Sequence, residues 1–408
     1  VLTDLDLPTA PVLAAMQRAG VAVDRSVLEA LSAELADVAA DLAQKAFAEI
    51  GHEVNLGSPK QLQEVLFEEL GMPKTRATKT GYTTDAAALA DLQEAHPPPF
   101  LGLLLQHRDA TKLRQIIETL VASIHADGRI RTTYEQTGTT TGRISSTDPN
   151  LQNIPVRTEV GHRIRAAFVA GEGYESLLTA DYSQIEMRIM AHLSGDEGLI
   201  EAFRSGEDLH RFVGARIFSV DPADVTPAMR TKVKAMSYGL AYGLSAFGLS
   251  KQLRIPSAEA KQLMTDYFAR FGAVRDYLRS VVEQAKIDGY TETIFGRRAH
   301  YPEIKSSNPS VRAFNERAAI NAPIQGSAAD IIRRAMIRVE DALADSKLTA
   351  QMLLQVHDEL IFEAPEKEVD ETIKVVRHVM ENAALPAIDM AVPLHVDASA
   401  ADNWDEAH

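Results

Sequence analysis

The chain has 408 residues, of which 45% are hydrophobic and 24% charged, with a net charge of −15 and no cysteine. Those values are ordinary for a soluble globular protein of two or three subdomains. They exclude disulfides, thiolate metal sites and a cysteine nucleophile, and no apolar run approaches the ~20 residues of a membrane span. The negative total argues against a nucleic-acid partner, because affinity for DNA comes largely from phosphate neutralisation. Its distribution softens that argument. Acid gathers in 358–371 and after Asp397, whereas 297–334 carries seven Arg or Lys against three acids, and 72–82 carries Lys74, Arg76 and Lys79 with no acid. Basic faces on an acidic body are compatible with a DNA groove, and a solvated surface explains each patch alone equally well. The opening Val1-Leu-Thr-Asp-Leu-Asp6 lacks an initiator Met, as in a fragment of something longer, and lacks the basic start and apolar core of a signal peptide.

Residues 8–50, rich in Ala and Leu at helical spacing, predict two helices broken at 20–24, with Asp24 as an N-cap. A short helix is expected from Pro59 to Leu70, then the basic loop. Helix resumes at Thr84-Asp85 and again over 99–124, after Pro97-Pro-Pro99, giving a long helical hairpin with a basic tip. From 125 the pattern turns to strands: Asp127-Gly128 separates Ile124 from the alternating 129–134, a hairpin signal. Residues 136–155 are polar, turn-rich and aperiodic, and so long an irregular stretch is usually functional or disordered. A strand over 176–181 leads into a helix over 183–194. Residues 195–296 read as mostly helical, with breaks at Gly206, Asp221-Pro222 and Ile255-Pro256. A long helix over 308–343, a strand hairpin over 350–363, a helix over 366–383 and a strand near 391–397 close the chain.

Two carboxylates follow apolar strands: Asp181 after Ser176-Leu-Leu-Thr-Ala180, and Asp358 just after Met352-Leu-Leu-Gln-Val356. A strand-end Asp is more often a cap or turn residue than a metal ligand, but neither of these has an evident helix to cap. Two carboxylates that meet on one sheet are what two-metal phosphoryl transfer requires, and Mg²⁺ needs no more than two when substrate phosphates complete its shell. In 229–248, residues four apart drift only about 40° around a helix, so Arg230, Lys234 and Tyr238 share one face, with Tyr242 a turn further on. Guanidinium, ammonium and ring suit a triphosphate followed by a sugar or base; an exposed basic face with two core tyrosines is the alternative. Arg143, Asn150, Gln152 and Asn153 in the irregular stretch can donate to phosphates and minor-groove acceptors, or can belong to a plain surface loop. Arg317, Asn321 and Gln325 form a polar helical stripe, which is usually a solvated face, and His210 reads by itself as a helix-surface histidine. The combination points to nucleotidyl transfer.

Five strings stand in one order: Thr141-Gly-Arg-Ile-Ser-Ser-Thr-Asp-Pro-Asn-Leu-Gln-Asn-Ile-Pro155, Asp181-Tyr-Ser-Gln-Ile-Glu-Met-Arg188, Arg230 to Gly243, Arg317 to Asp330, and Val356-His-Asp-Glu359. In these the chain resembles, over nearly all its length, the polymerase region of family A DNA polymerases of the bacterial DNA polymerase I type. The resemblance implies an α+β right-hand fold. A helical thumb over 1–124 has its basic tip near 72–82, an antiparallel-sheet palm comes from 125–194 and 306–408, and helical fingers occupy 195–305. It implies template-directed addition of dNMPs to a primer 3′-hydroxyl with release of pyrophosphate, in DNA repair and replication. Two Mg²⁺ ions would serve, with Mn²⁺ able to substitute. The partners would be primer–template DNA and dNTP, not a membrane, and a monomer in the bacterial cytoplasm at the nucleoid is expected.

By position, Asp181, Asp358 and the Tyr182 carbonyl correspond to the metal ligands, with Glu359 in support. Arg230, Lys234, His210 and Gln184 correspond to the triphosphate-binding residues, Lys234 doubling as proton donor to pyrophosphate. Tyr238 would stack near the incoming sugar and base, Tyr242 would guard the templating site, and Glu186 would crowd a 2′-hydroxyl. Arg143, Asn150, Gln152, Asn153, Arg317, Asn321, Gln325 and His357 would meet the primer–template, and Arg108 and Lys112 would contact DNA from the thumb. Two departures stand out: no segment is left over for the exonuclease domains that often precede this region, and Tyr238 replaces the Phe common in repair-type enzymes. A single-subunit RNA polymerase is the second reading, opposed by Glu186, and a DNA-binding homologue without activity is the third, opposed by retention of both carboxylates.

Overall fold

The structure, a computed structural model, describes every residue except Glu207. The chain gathers into two compact units: Ala22–Arg131 with Asn153–Val169, and Val1–Val21 with Thr132–Gln152 and Ala170–His408.

In the smaller unit the Asp24 carboxylate accepts from the Ser26 amide at 3.0 Å and starts helix Arg25–Ile50. Gly51, at φ +79°, ends it in the left-handed conformation that glycine adopts without penalty. This helix packs along Pro99–Ala122. Ala46, Leu62, Leu66, Phe67, Leu89 and Phe100 bury one apolar cluster between the helical segments. The break at 20–24 is a short strand, Val21–Val23, pairing with Phe168–Val169 in a three-stranded sheet completed by Arg129–Ile130. The basic loop folds into a small hairpin, Ala77–Thr78 against Gly81–Tyr82, with the Lys74 ammonium 5.1 Å from the Tyr82 ring centre.

The larger unit is built on a four-stranded antiparallel sheet in the order Gln351–Val356, Glu359–Ala364, Ser176–Tyr182, Val396–Ala401. Every residue of Glu359–Ala364 is buried, including Glu363, whose carboxylate accepts from the Gly171 amide at 2.9 Å. The 37-residue helix Pro309–Asp345 contributes Ile324, Ile331, Ile332 and Met336 to the core that Leu178, Leu360 and Phe362 of the sheet share. The helices between 197 and 288 break around 206, 221–222 and 255–256 as the spacing predicts, but also at 242–245 and at Phe271, and Tyr290–Glu292 is a strand where helix was expected.

Three expectations are corrected. Residues 1–21 belong with the larger unit and not with the helical segment that follows. Helix Leu7–Ala19 buries Val12, Leu13 and Met16 in the larger core, and Asp6 pairs with Arg297 at 2.6 Å and Arg333 at 2.9 Å. The last strand runs over 396–401 and not 391–397, because Pro393 has no N–H to give to a ladder. Finally, 136–155 is not wholly irregular: Ser145–Thr147 pairs with Thr133–Glu135.

Candidate active site

The two strand-end aspartates meet. Register places Asp181 opposite Glu359 on one neighbouring strand and Asp397 on the other. The Tyr182 amide donates to the Asp358 carbonyl at 3.1 Å, pinning the turn that carries Asp358 to the end of strand Ser176–Tyr182. The Tyr182 hydroxyl is committed to the core, donating to the Met380 carbonyl at 2.7 Å. Burial, then the charges of Glu359 and Asp358, pushes the Asp181 carboxyl up to about 7. Burial raises Asp358 as well, with Arg143 pulling the other way. Crowded carboxylates of this kind carry their charge at a cost that a bound cation relieves. Among the described residues no three His, Cys, Asp or Glu side chains form a ready-made metal cage. Two carboxylates with a nearby carbonyl fit Mg²⁺, which is held by one or two carboxylates and completes its shell with water and phosphate.

Glu359 is buried, and its Oε1 lies 3.2 Å from His408 Nδ1. Helix Trp404–Ala407 carries His408 there, its Ala407 carbonyl accepting from the Thr179 hydroxyl at 2.7 Å. Gln184 and His357, close to the two aspartates in sequence, both take left-handed backbones, at φ 52° and 54°. Such non-glycine residues cost on the order of 1–3 kcal/mol each and persist where the surroundings hold them. The Gln184 Oε1 is buried with no hydrogen-bond partner among the described residues.

Helix Ile185–Ser194 brings Glu186 to Arg143, 2.7 Å away. Burial raises the Glu186 carboxyl while Arg143 opposes it. With the Gln325 amide turned so that its oxygen faces Arg143, it accepts at 2.9 Å and donates to Thr141 Oγ1 at 3.1 Å. Gly326 permits this approach, since a Cβ there would meet the Thr141 carbonyl at 2.7 Å. One turn back, the Asn321 Oδ1 is buried and unpartnered among the described residues, and a further turn back Arg317 is exposed. Arg143, Gln152, His357 and Asp358 line one cavity of about 160 Å³. Burial, reinforced by Arg143, lowers the His357 pKa.

Helix Pro227–Ala241 starts where Thr226 accepts from the Met229 amide at 3.2 Å, with Pro227 at its first position. It packs on helices Ile185–Ser194 and Leu209–Phe218. Arg230 reaches Asp208, its Nη2 at 2.8 Å and its Nε at 3.2 and 3.3 Å from the two carboxylate oxygens. His210 is no surface histidine, as its sequence neighbourhood alone had it; it is 2% exposed because its helix packs on the one bearing Arg230. Burial, with Arg230 adding to it, lowers its pKa to about 4, and its Nδ1 has no partner among the described residues. The Tyr238 ring centre is 6.1 Å from that of His210. Lys234 and Tyr238 are half-buried, and Tyr242, the C-cap, is exposed. Gly243 follows at φ +68°, where a Cβ would come within 3.1 Å of Arg317 Cα.

The remaining expected DNA contacts are placed differently. Asn150 and Gln152 spend groups on their own loop, Asn150 Oδ1 accepting from the Gln152 amide at 2.8 Å and Gln152 Nε2 donating to the Ile144 carbonyl at 3.0 Å. Arg108, Lys112 and Asn153 belong to the smaller unit. There Arg108 is half-buried and donates to the Thr84 carbonyl at 2.5 Å, whereas Lys112 and Asn153 are exposed. Two charged neighbours of the site escaped the sequence reading. Asp208 carries only the signature of an N-cap, and nothing near His408 in sequence signals its approach to Glu359.

A sheet bearing two crowded carboxylates, with a helix of cationic and aromatic side chains packed on the adjoining helices, is an α+β arrangement suited to holding a cation and a polyphosphate together. The chain belongs to DNA polymerase family A, whose model matches residues 25–406. It is 58% identical over 406 residues to DNA polymerase I of Mycobacterium tuberculosis (strain ATCC 25618 / H37Rv), the match covering 100% of this chain and 44% of that protein. It is 57% identical over 409 residues to DNA polymerase I of Mycobacterium leprae (strain TN), again covering 100% and 44%. The chain therefore spans less than half the length of these relatives. Among solved structures, the POL domain of Pol1 from M. smegmatis in complex with DNA primer-template and dNTP aligns with a TM-score of 0.94 at 59% identity, covering 100% of this chain and 71% of that one. No helix among the described residues is long and apolar enough to cross a membrane.

Proposed function

We propose that this chain carries a template-directed DNA polymerase activity, extending a primer 3′-hydroxyl with dNMPs and releasing pyrophosphate, in bacterial DNA repair and replication at the nucleoid. The observation that carries the reading is the meeting of Asp181 and Asp358 at one end of the sheet, where burial, then the charges of Glu359 and Asp358, raises the Asp181 carboxyl to about 7. The likeness to a relative solved with primer-template and dNTP supports it. In this reading the sheet of the larger unit is the palm, the helices of 195–305 are the fingers and the smaller unit is the thumb.

Asp181, Asp358 and the Tyr182 carbonyl would hold two Mg²⁺ ions, and Mn²⁺ would suit the same oxygen donors. When bound, the ions supply a lowered pKa at the primer 3′-hydroxyl and neutralisation of charge developing on the phosphates. Arg230, Lys234, His210 and Gln184 orient the triphosphate, and Lys234 gives its proton to the departing pyrophosphate. Tyr238 stacks near the incoming sugar and base, and Tyr242 covers the templating position. Arg143, Arg317, Asn321, Gln325 and His357 hold the primer–template, assisted by Asn150, Gln152, Asn153, Arg108 and Lys112. Extension of a primed template by the purified chain, with and without Mg²⁺ and with dNTPs or rNTPs, tests the proposal. Absence of Mg²⁺-dependent dNTP incorporation would overturn it.

Two further results are expected. Folding raises the Asp181 pKa above its ordinary 3.8, so its contribution to stability is present at low pH and is lost as pH rises from about 4 to about 7. Above that range the anionic cluster is poised for a cation. The rise in Tm on adding Mg²⁺ should be several degrees larger at pH 8 than at pH 5.5, and a pH-independent rise would place the binding elsewhere. Glu186→Ala should admit ribonucleotides that the parent rejects by tenfold or more, because the crowding carboxylate disappears. It also frees Arg143, so Glu186→Gln, which keeps the bulk, should retain discrimination. If Glu186→Ala discriminates as the parent does in single-turnover rNTP and dNTP incorporation, the gate lies elsewhere.

A further inference from the structure

We propose that Asp208 is a positioning residue that holds Arg230 in reserve, so that a polyphosphate must displace a resident carboxylate before it gains the guanidinium. The inference rests on the reading of Arg230 as a triphosphate ligand. The geometry is a fork on a carboxylate: Nη2 of Arg230 stands 2.8 Å from Asp208 Oδ2, and Nε reaches Oδ2 at 3.2 Å and Oδ1 at 3.3 Å. A planar guanidinium binds carboxylate and phosphate through the same donors. Both side chains are open to solvent, at 43% and 40% relative exposure, so an incoming anion can reach the pair. Asp208 is anchored independently of Arg230, because its Oδ1 also accepts from the Arg211 amide at 2.9 Å as N-cap of helix Leu209–Phe218. The acceptor is therefore fixed and the long arginine is the partner that moves. A multiply charged triphosphate outcompetes a single carboxylate, whereas a weakly charged anion does not. The arrangement filters for polyphosphates and raises the concentration of dNTP needed to engage the helix.

Asn at 208 keeps the cap and removes the charge. The test measures dTTP dissociation constants by single-turnover incorporation opposite a templating adenine, for the parent, Asp208→Asn, Arg230→Ala and the double variant. Asp208→Asn is expected to tighten dTTP by about threefold to fivefold, the scale of an exposed ion pair, and added KCl should shrink that gain. A tightening cannot come from a damaged fold. Arg230→Ala is expected to weaken dTTP by roughly tenfold or more, as for a lost charged hydrogen bond, and on that background Asp208→Asn should change nothing. If Arg230→Ala weakens dTTP but Asp208→Asn leaves it unchanged or weaker, the reserve role is overturned and the phosphate role of Arg230 stands. If Arg230→Ala has no effect, the phosphate reading itself falls. If Asp208→Asn tightens dTTP equally with and without Arg230, Asp208 only repels the triphosphate, and the proposal is overturned.

Discussion

Asp181→Asn and Asp358→Asn should each abolish primer extension while leaving primer–template affinity within about twofold of the parent. Asn keeps the size of the side chain and a carbonyl oxygen, so the turn pinned by the Tyr182 amide and the Asp358 carbonyl is undisturbed. What it removes is one of two anionic ligands. Losing a metal-held charge from the transition state costs several kcal/mol, and about 4 kcal/mol is roughly 10³-fold in rate. A second readout separates this from misfolding. The Asp181 carboxyl sits against Glu359 and Asp358, and burial and those charges raise its pKa to about 7, so the metal-free fold is strained by anions at pH 8. Asp181→Asn should therefore raise the Tm of the metal-free protein at pH 8 even as it eliminates turnover, and should shrink the further rise on adding Mg²⁺. Near-parent turnover by either variant would remove these carboxylates from the chemistry. A lower metal-free Tm for Asp181→Asn would show that Asp181 holds the fold and not a cation.

Much of this was legible because its causes are local. Caps such as Asp24, Asp85 and Thr226 bond to amides two or three residues ahead, so the helix starts follow from short windows of sequence. The strands leading to Asp181 and Asp358 announce themselves as apolar runs, and the hairpin around His357-Asp358 falls where the runs break. The failures share a different physics. Asp6 finds Arg297 and Arg333, separated from it by 291 and 327 residues, and that pairing draws residues 1–21 into the larger unit. The fate of His210 was set by a helix that begins 17 residues further on and packs over it. His408 reaches Glu359 across 49 residues because Ala407 is tied to Thr179 on the middle of the sheet. Side-chain pairings made by tertiary packing leave no periodicity to read. For the same reason the Arg143, Glu186 and Gln325 cluster could be named by resemblance but not assembled from spacing.

If the chain polymerises as proposed, Tyr238→Phe should make it discriminate against dideoxynucleotides by tenfold or more relative to the parent, with ordinary dNTP turnover nearly unchanged. The substitution removes one hydroxyl from a half-buried ring that packs beside His210 and leaves the stacking surface in place. An incoming dideoxynucleotide lacks the 3′-hydroxyl, a hydrogen-bond donor and acceptor that a dNTP brings with it. Phe offers nothing in exchange, whereas a Tyr hydroxyl can both donate and accept. A hydrogen bond to a charged group is worth ~1.5–3 kcal/mol, and ~1.4 kcal/mol is already tenfold in a ratio of rates. The effect must therefore appear in the ddNTP arm alone, since a dNTP carries its own hydroxyl and gains nothing from that of Tyr238. Competing ddTTP against dTTP in single-turnover extension measures the ratio directly. Equal ratios for parent and Tyr238→Phe would assign the ring to stacking alone. A matching loss in the dNTP arm would mean that the hydroxyl supports helix Pro227–Ala241 and not the nucleotide.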